Sequence, residues 1–179
     1  MAGANKESMP PSILDIGCGR NKAGGAVGLD LARHPGVDVV ADAGQGLPFS
    51  GGIFPRVRLR HIVEHVPDLK RFLAEVHRVT KPGGEVQILT PHFSAAASFT
   101  DPTHQRHLGY FSLDYFCGLA GDDFLPLDFA FKMQGRRLIF GRNGKLGLAA
   151  WANRHPGAYE QHLAWMLPAL EVEYLLIKA

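Results

Sequence analysis

Residues 13–31, ILDIGCGRNKAGGAVGLDL, limit the possible folds of this chain more than any other stretch. "SILDIG" (12–17) is a short apolar run ending at glycine, as a buried parallel strand does, and "AVGLDL" (26–31) repeats the form around an acid. A strand, a glycine turn and an acid on the next strand begin a nucleotide-binding crossover. A dinucleotide site needs two things more: a helix whose N-terminus faces the pyrophosphate, and a ribose-binding acid roughly 20 residues on. Here Asp30 follows Gly19 by only 11 residues, and "RNKAGGAVGL" has no room for both a helix and a strand. The first crossover helix is therefore expected to be nearly absent. A pyrophosphate would lose the helix dipole it depends on, whereas a cationic ligand without phosphate would lose little.

Further strands are expected at "VDVVADA" (37–43), "RVRLR" (56–60) and "EVQILTP" (85–91). Between the last two, Leu69, Phe72, Leu73 and Val76 fall at i, i+3, i+4 and i+7, with Pro67 suited to the first turn and Lys81-Pro82-Gly83-Gly84 to the stop. The spacing predicts a helix of about three turns. Strands alternating with connectors imply right-handed crossovers and a parallel sheet. Beyond residue 92 the pattern changes. Ser112 can cap a helix carrying Leu113, Phe116 and Cys117; "FAFKM" and "RRLIF" form a hairpin or strand pair around Gly135; a helix near 157–167 precedes a last strand, "EVEYLLIKA". The back half is expected to form the antiparallel end of a mostly parallel sheet.

At 179 residues, 46% hydrophobic and 20% charged, the chain is expected to be one domain, 1–179. Cys18 and Cys117 have neither zinc-site nor disulfide spacing, so a cytoplasmic setting fits. The opening "MAGANKESMPPS" lacks the apolar core of a secretory signal, and no apolar run approaches the roughly 20 residues of a membrane span. Net charge is only +2, yet Lys132, Arg136, Arg137, Arg142, Lys145 and Arg154 share an acid-free stretch, 132–155. Such a stretch can dock a polyanion, RNA or phospholipid, but charge runs more often make a solvated face, and a nucleic-acid partner is not expected.

Successive segments, in order, resemble the class I S-adenosylmethionine-dependent methyltransferases. "LDIGCG" resembles the family's first motif, "VGLDL" its ribose-binding acid, and "VVADAGQGLPF" the segment flanking the adenine. "HIVEHVPDLKRFLAEVHRVTKPGGEVQILTP" is similar to its fourth strand end, helix and fifth strand. "TPHFSAAASFTDPTH" and "FKMQGRRLIFGRNGK" are similar to stretches of compact bacterial members. The resemblance implies a Rossmann-like α/β fold with shortened first crossover helices, a cofactor-binding half (12–92) and a substrate-side half (93–179). It implies that Gly17, Cys18 and Gly19 lie under the methionine part of S-adenosylmethionine, and that Asp15 orders that loop. Asp30 and Leu31 would hold the ribose, Asp42 and Ala43 would touch the adenine, and His61 would border the methyl donor.

Methyl transfer is a displacement at carbon, so a nucleophile must be aligned with the sulfonium methyl and, when it carries a proton, relieved of it. Of nine histidines, His61, His65, His92, His104 and His107 fall in loops expected at the carboxyl edge of the sheet. His92 and His104, with Asp101 and His61, are the first candidates for base or orienting group. His61, Glu64 and His65 of "HIVEH", together with His104, are of a chemistry that suits zinc, iron or manganese. The plainer expectation is pocket lining with no metal. The acceptor is expected to be a small molecule, under a lid formed by residues 92–130 with aromatic side chains; O-, N- and S-methylation stay open, as does the oligomeric state.

Overall fold

A computed structural model describes residues 12–121, 126–141 and 146–179. The expected first strands form as β1 (Leu14–Ile16), β2 (Val27–Asp30), β3 (Val39–Val40) and β4 (Phe54–Arg60). Among the described residues no helix separates them: residues 17–26 are turns, held by Gly17 and Cys18 N–H donating to the Leu29 carbonyl at 2.8 and 3.2 Å. So short a link brings Gly28 against Cys18, and a Cβ at 28 would lie 2.7 Å from the Cys18 sulfur. Only glycine allows that approach.

Helix α1 (Leu69–Val79) buries Phe72, Leu73, Val76 and Val79. Its cap is Asp68, whose carboxylate accepts from Arg71 N–H at 2.9 Å, so Pro67 stands just outside the first turn. Strand β5 (Thr80–Pro91) follows at once, and short helix α2 (Ala96–Thr100) leads to the back half. The helix expected after Ser112 is a 3₁₀ turn, Asp114–Cys117, closed by Gly118 at φ +65°. Ser112 bonds Gly109 N–H instead of capping it.

The hairpin around Gly135 does not form. Residues 131–139 make one strand, β6 (Phe131–Ile139), and the register slips between Met133 and Gly135. β7 (Glu171–Lys178) pairs along its whole length, so the glycine is absorbed as a bulge and not as a turn. Between them lie α3 (Leu146–Arg154) and α4 (Pro156–His162), the second with proline at its start. Of the basic stretch, Arg142 and Lys145 lie outside the described residues.

The seven strands make one sheet in the order β3-β2-β1-β4-β5-β7-β6, parallel through β5 and antiparallel at β5-β7-β6. The α/β class, the mostly parallel sheet and its antiparallel end are therefore as the sequence implies. Strand order reverses between β1 and β4, and open α/β sheets bind ligands at the carboxyl ends of strands flanking such a point. No helix among the described residues is long and apolar enough to cross a membrane.

Candidate active site

At that switch point a cavity of about 290 Å³ opens, at the small end of ligand sites. Gly17, Asp30, Leu31, Asp42, Ala43 and His61 all line it, although they come from four separate strand ends. Gly17 is at φ +69°, a conformation that exposes backbone without a side chain. Asp30 is oriented by the backbone: Oδ2 accepts from Gly19 N–H at 2.7 Å and Oδ1 from Ala32 N–H at 3.0 Å. Each oxygen keeps a lone pair for a further donor. Asp42 is pinned likewise, accepting from Gly44 N–H at 2.9 Å. Leu31 is 71% exposed beside the opening.

Asp15, Cys18 and Gly19 stand behind this lining. Asp15 is buried; it accepts from Ala23 N–H at 2.7 Å and from Arg58 Nη1 at 3.1 Å, which fixes the glycine turn from beneath. Cys18 is buried against β2, and desolvation holds its thiol above the ordinary value.

Ile62, His65, Val66 and Pro67 complete the wall. They were not singled out as cofactor contacts, yet their place directly after a strand end, in "HIVEHVP", is the signal that could have found them. Arg106 holds this segment in place: its guanidinium donates to the carbonyls of Val63 (2.8 Å), Val66 and Pro67 (2.9 Å).

His61 is the described non-glycine residue with positive φ, +51°, and such strain gathers at functional sites. Its Nε2 lies 2.9 Å from Glu171 Oε1 and its Nδ1 3.4 Å from Glu64 Oε1. The adjacent carboxylates, Glu64 first, raise its pKa against partial burial. Glu171 comes from the start of β7, a partner that spacing in the sequence could not reveal.

The other candidates divide. His92 is wholly buried and outside the cavity lining: Ser94 N–H donates to its Nδ1 at 3.2 Å, with Ser94 Oγ at 2.7 Å, and Nε2 faces Glu160 Oε1 at 3.0 Å. His104 is closer to the cavity. Its ring meets that of cavity-lining His65 edge-on at 4.7 Å, and Glu64, His65 and His104 bring ligand atoms within 4.8 Å of one another. Asp101 is exposed, binds Thr103, and comes within 4.0 Å of His104 Nε2.

Residues 14–88 match the family model described as a methyltransferase domain. A demethylmenaquinone methyltransferase of Renibacterium salmoninarum is 33% identical over 90 residues, which cover 50% of this chain and 32% of that protein. The chain spans about a third of the length of the curated relatives it matches. Among solved structures, a SAM-dependent methyltransferase from Archaeoglobus fulgidus superposes with a TM-score of 0.65 at 18% identity, covering 93% of this chain and 86% of that one. The [4+2]-cyclase SpnF superposes at 0.57 and 16% identity, covering 93% and 74%. The fold is thus shared by proteins named for different chemistries, and the match to a methyltransferase domain falls on residues 14–88.

Proposed function

We propose that this chain, a class I S-adenosylmethionine-dependent methyltransferase by domain and fold, transfers a methyl group to a small-molecule acceptor. The observation that carries the proposal is Asp30 at the switch-point cavity, with each carboxylate oxygen fixed by one backbone N–H and still able to accept from one ribose hydroxyl. Gly17 lets the methionine part lie against the main chain. Ala41, Ala43, Ile62 and Val66 form the apolar slot suited to an adenine face, with Asp42 at its edge. The absence of a helix after β1 fits a sulfonium ligand better than a pyrophosphate.

When bound, S-adenosylmethionine supplies a methyl group activated for displacement. The protein's part is alignment and charge. Glu64, His61 and Glu171 set two carboxylates about one imidazole beside the cavity, a field that favours a cationic donor. We assign the relay of an acceptor's proton to His61, which lines the cavity. His92, with both ring nitrogens engaged inside the protein, positions the end of β5. The similarity to a demethylmenaquinone methyltransferase, over 50% of this chain, supports a small-molecule acceptor.

Calorimetric titration tests the reading. S-adenosylhomocysteine is expected to bind and NAD is not. A folded Asp30→Ala protein should lose about 1.5–3 kcal/mol of binding, roughly 10- to 150-fold. Tight NAD binding with no response to S-adenosylhomocysteine would sink the proposal.

A further inference from the structure

The geometry points to a divalent-cation site formed by Glu64, His65 and His104, next to the cofactor cavity, for a borderline metal such as Zn²⁺, Fe²⁺ or Mn²⁺. Its first support is convergence. Glu64 and His65 leave the end of β4, His104 comes from the loop after α2, and their ligand atoms gather within 4.8 Å. Gln105 N–H donates to the Glu64 carbonyl at 2.7 Å, so the two loops are tied together at this point.

The second support is the state of the side chains. Glu64 is 1% exposed; Oε2 accepts from Thr90 Oγ1 at 3.0 Å, but Oε1 is buried with no hydrogen-bond partner, His61 Nδ1 lying 3.4 Å away and out of alignment. A buried carboxylate oxygen in that condition calls for a cation or a proton.

The histidines point the same way. Thr103 Oγ1 donates to Asp101 Oδ1 at 2.6 Å, so His65 Nδ1 must donate to Thr103, 2.9 Å away. His104 Nδ1 donates to the Ser98 carbonyl at 2.9 Å. These bonds assign the protons to Nδ1 in both rings and leave both Nε2 lone pairs open. Metal-bound histidines are characteristically held this way, one nitrogen on the metal and the other donating to a carbonyl or polar neighbour. Two imidazoles and one carboxylate make a ligand set for zinc, iron or manganese and a poor one for magnesium. Asp101, through Thr103, orders His65. His61 is not part of the set, its Nε2 being directed to Glu171.

The proposal concerns binding and does not rest on methyl transfer. Tag-free protein stripped with chelator would be titrated with Zn²⁺ by calorimetry and with Co²⁺ by visible absorption. One cation per chain is expected, with the intense d–d bands of a low-coordinate nitrogen and oxygen site. His104→Asn and Glu64→Gln should each weaken binding at least about tenfold, and His155→Asn, an exposed control, should leave it unchanged. If Glu64→Gln does not fold, His104→Asn decides the matter. Failure of the folded parent chain to bind either ion, or equal affinity in His104→Asn, overturns the site. S-adenosylhomocysteine titrated into the same samples separates the two proposals, since its binding tests the methyl-donor cavity alone.

Discussion

Gly17 shows how one missing side chain shapes the cavity. A Cβ there would sit 2.9 Å from Ile62 Cδ1, in a backbone conformation of φ +69° that other residues adopt at a cost of about 1–2 kcal/mol. Gly17→Ala therefore strains the turn and pushes Ile62 within the cavity wall. S-adenosylhomocysteine affinity should fall about tenfold, or ~1.4 kcal/mol. Gly19 is also left-handed, at φ +51°, but a Cβ there meets nothing within 4 Å. Gly19→Ala should lower thermal stability and leave affinity close to that of the parent. Parallel melting and calorimetry on the two variants check this, and equal losses of affinity would refute the distinction.

At the level of elements, α1 does more than cover the sheet. Glu75 reaches back from it to accept from Leu47 N–H at 2.8 Å, while its carboxylate pairs with Arg78, Nε to Oε1 at 2.7 Å. Arg78 in turn donates to the carbonyls of Phe49 (2.8 Å) and Leu47 (2.9 Å). This clamp holds the connection from β3 to β4, just past the Asp42–Gly44 edge of the cavity. Arg78 holds the Glu75 carboxyl below its ordinary value of 4.5, against partial desolvation. A carboxylate with a lowered folded pKa contributes stability above the unfolded value, and that contribution is lost as pH falls through the lower folded one. Glu75→Ala should cost about 1–3 kcal/mol at neutral pH, toward the low end because a quarter of the side chain meets solvent. Urea melts at pH 7 and pH 3 should show the gap between parent and variant closing in acid. A gap that persists at pH 3 would mean the clamp is not ionic.

For the whole molecule the first question is charge. The stretch 132–155 is acid-free in sequence, yet β6 is bonded to β7 and lies against the 3₁₀ turn. There Arg136 pairs with Asp114, and Arg137 Nε reaches Glu173 Oε2 at 2.5 Å. Two of its cations are thus answered across the fold. RNA is expected to bind no tighter than the non-specific range, ~10⁻⁴–10⁻⁶ M at physiological salt, in a filter-binding assay. Tighter binding that falls steeply with added salt would favour a polyanion partner. The same division between local and distant runs through the structure. Strand-glycine-acid order, the missing helix after β1 and the apolar spacing of α1 were legible because each depends on neighbours within a few residues: room for backbone hydrogen bonds, side-chain size, periodicity. The glycine-rich turn and Asp30 were legible for the same reason. What could not be read were partners far apart in the chain: Glu171 on His61, Glu160 enclosing His92, and Arg106 binding the loop after β4. Spacing carries no trace of these, because the sheet order β3-β2-β1-β4-β5-β7-β6 decides which loops meet at its carboxyl edge. Gly135 marks the boundary, since a glycine between two apolar runs serves a turn or a bulge equally, and only the presence of β7 along both runs made it a bulge.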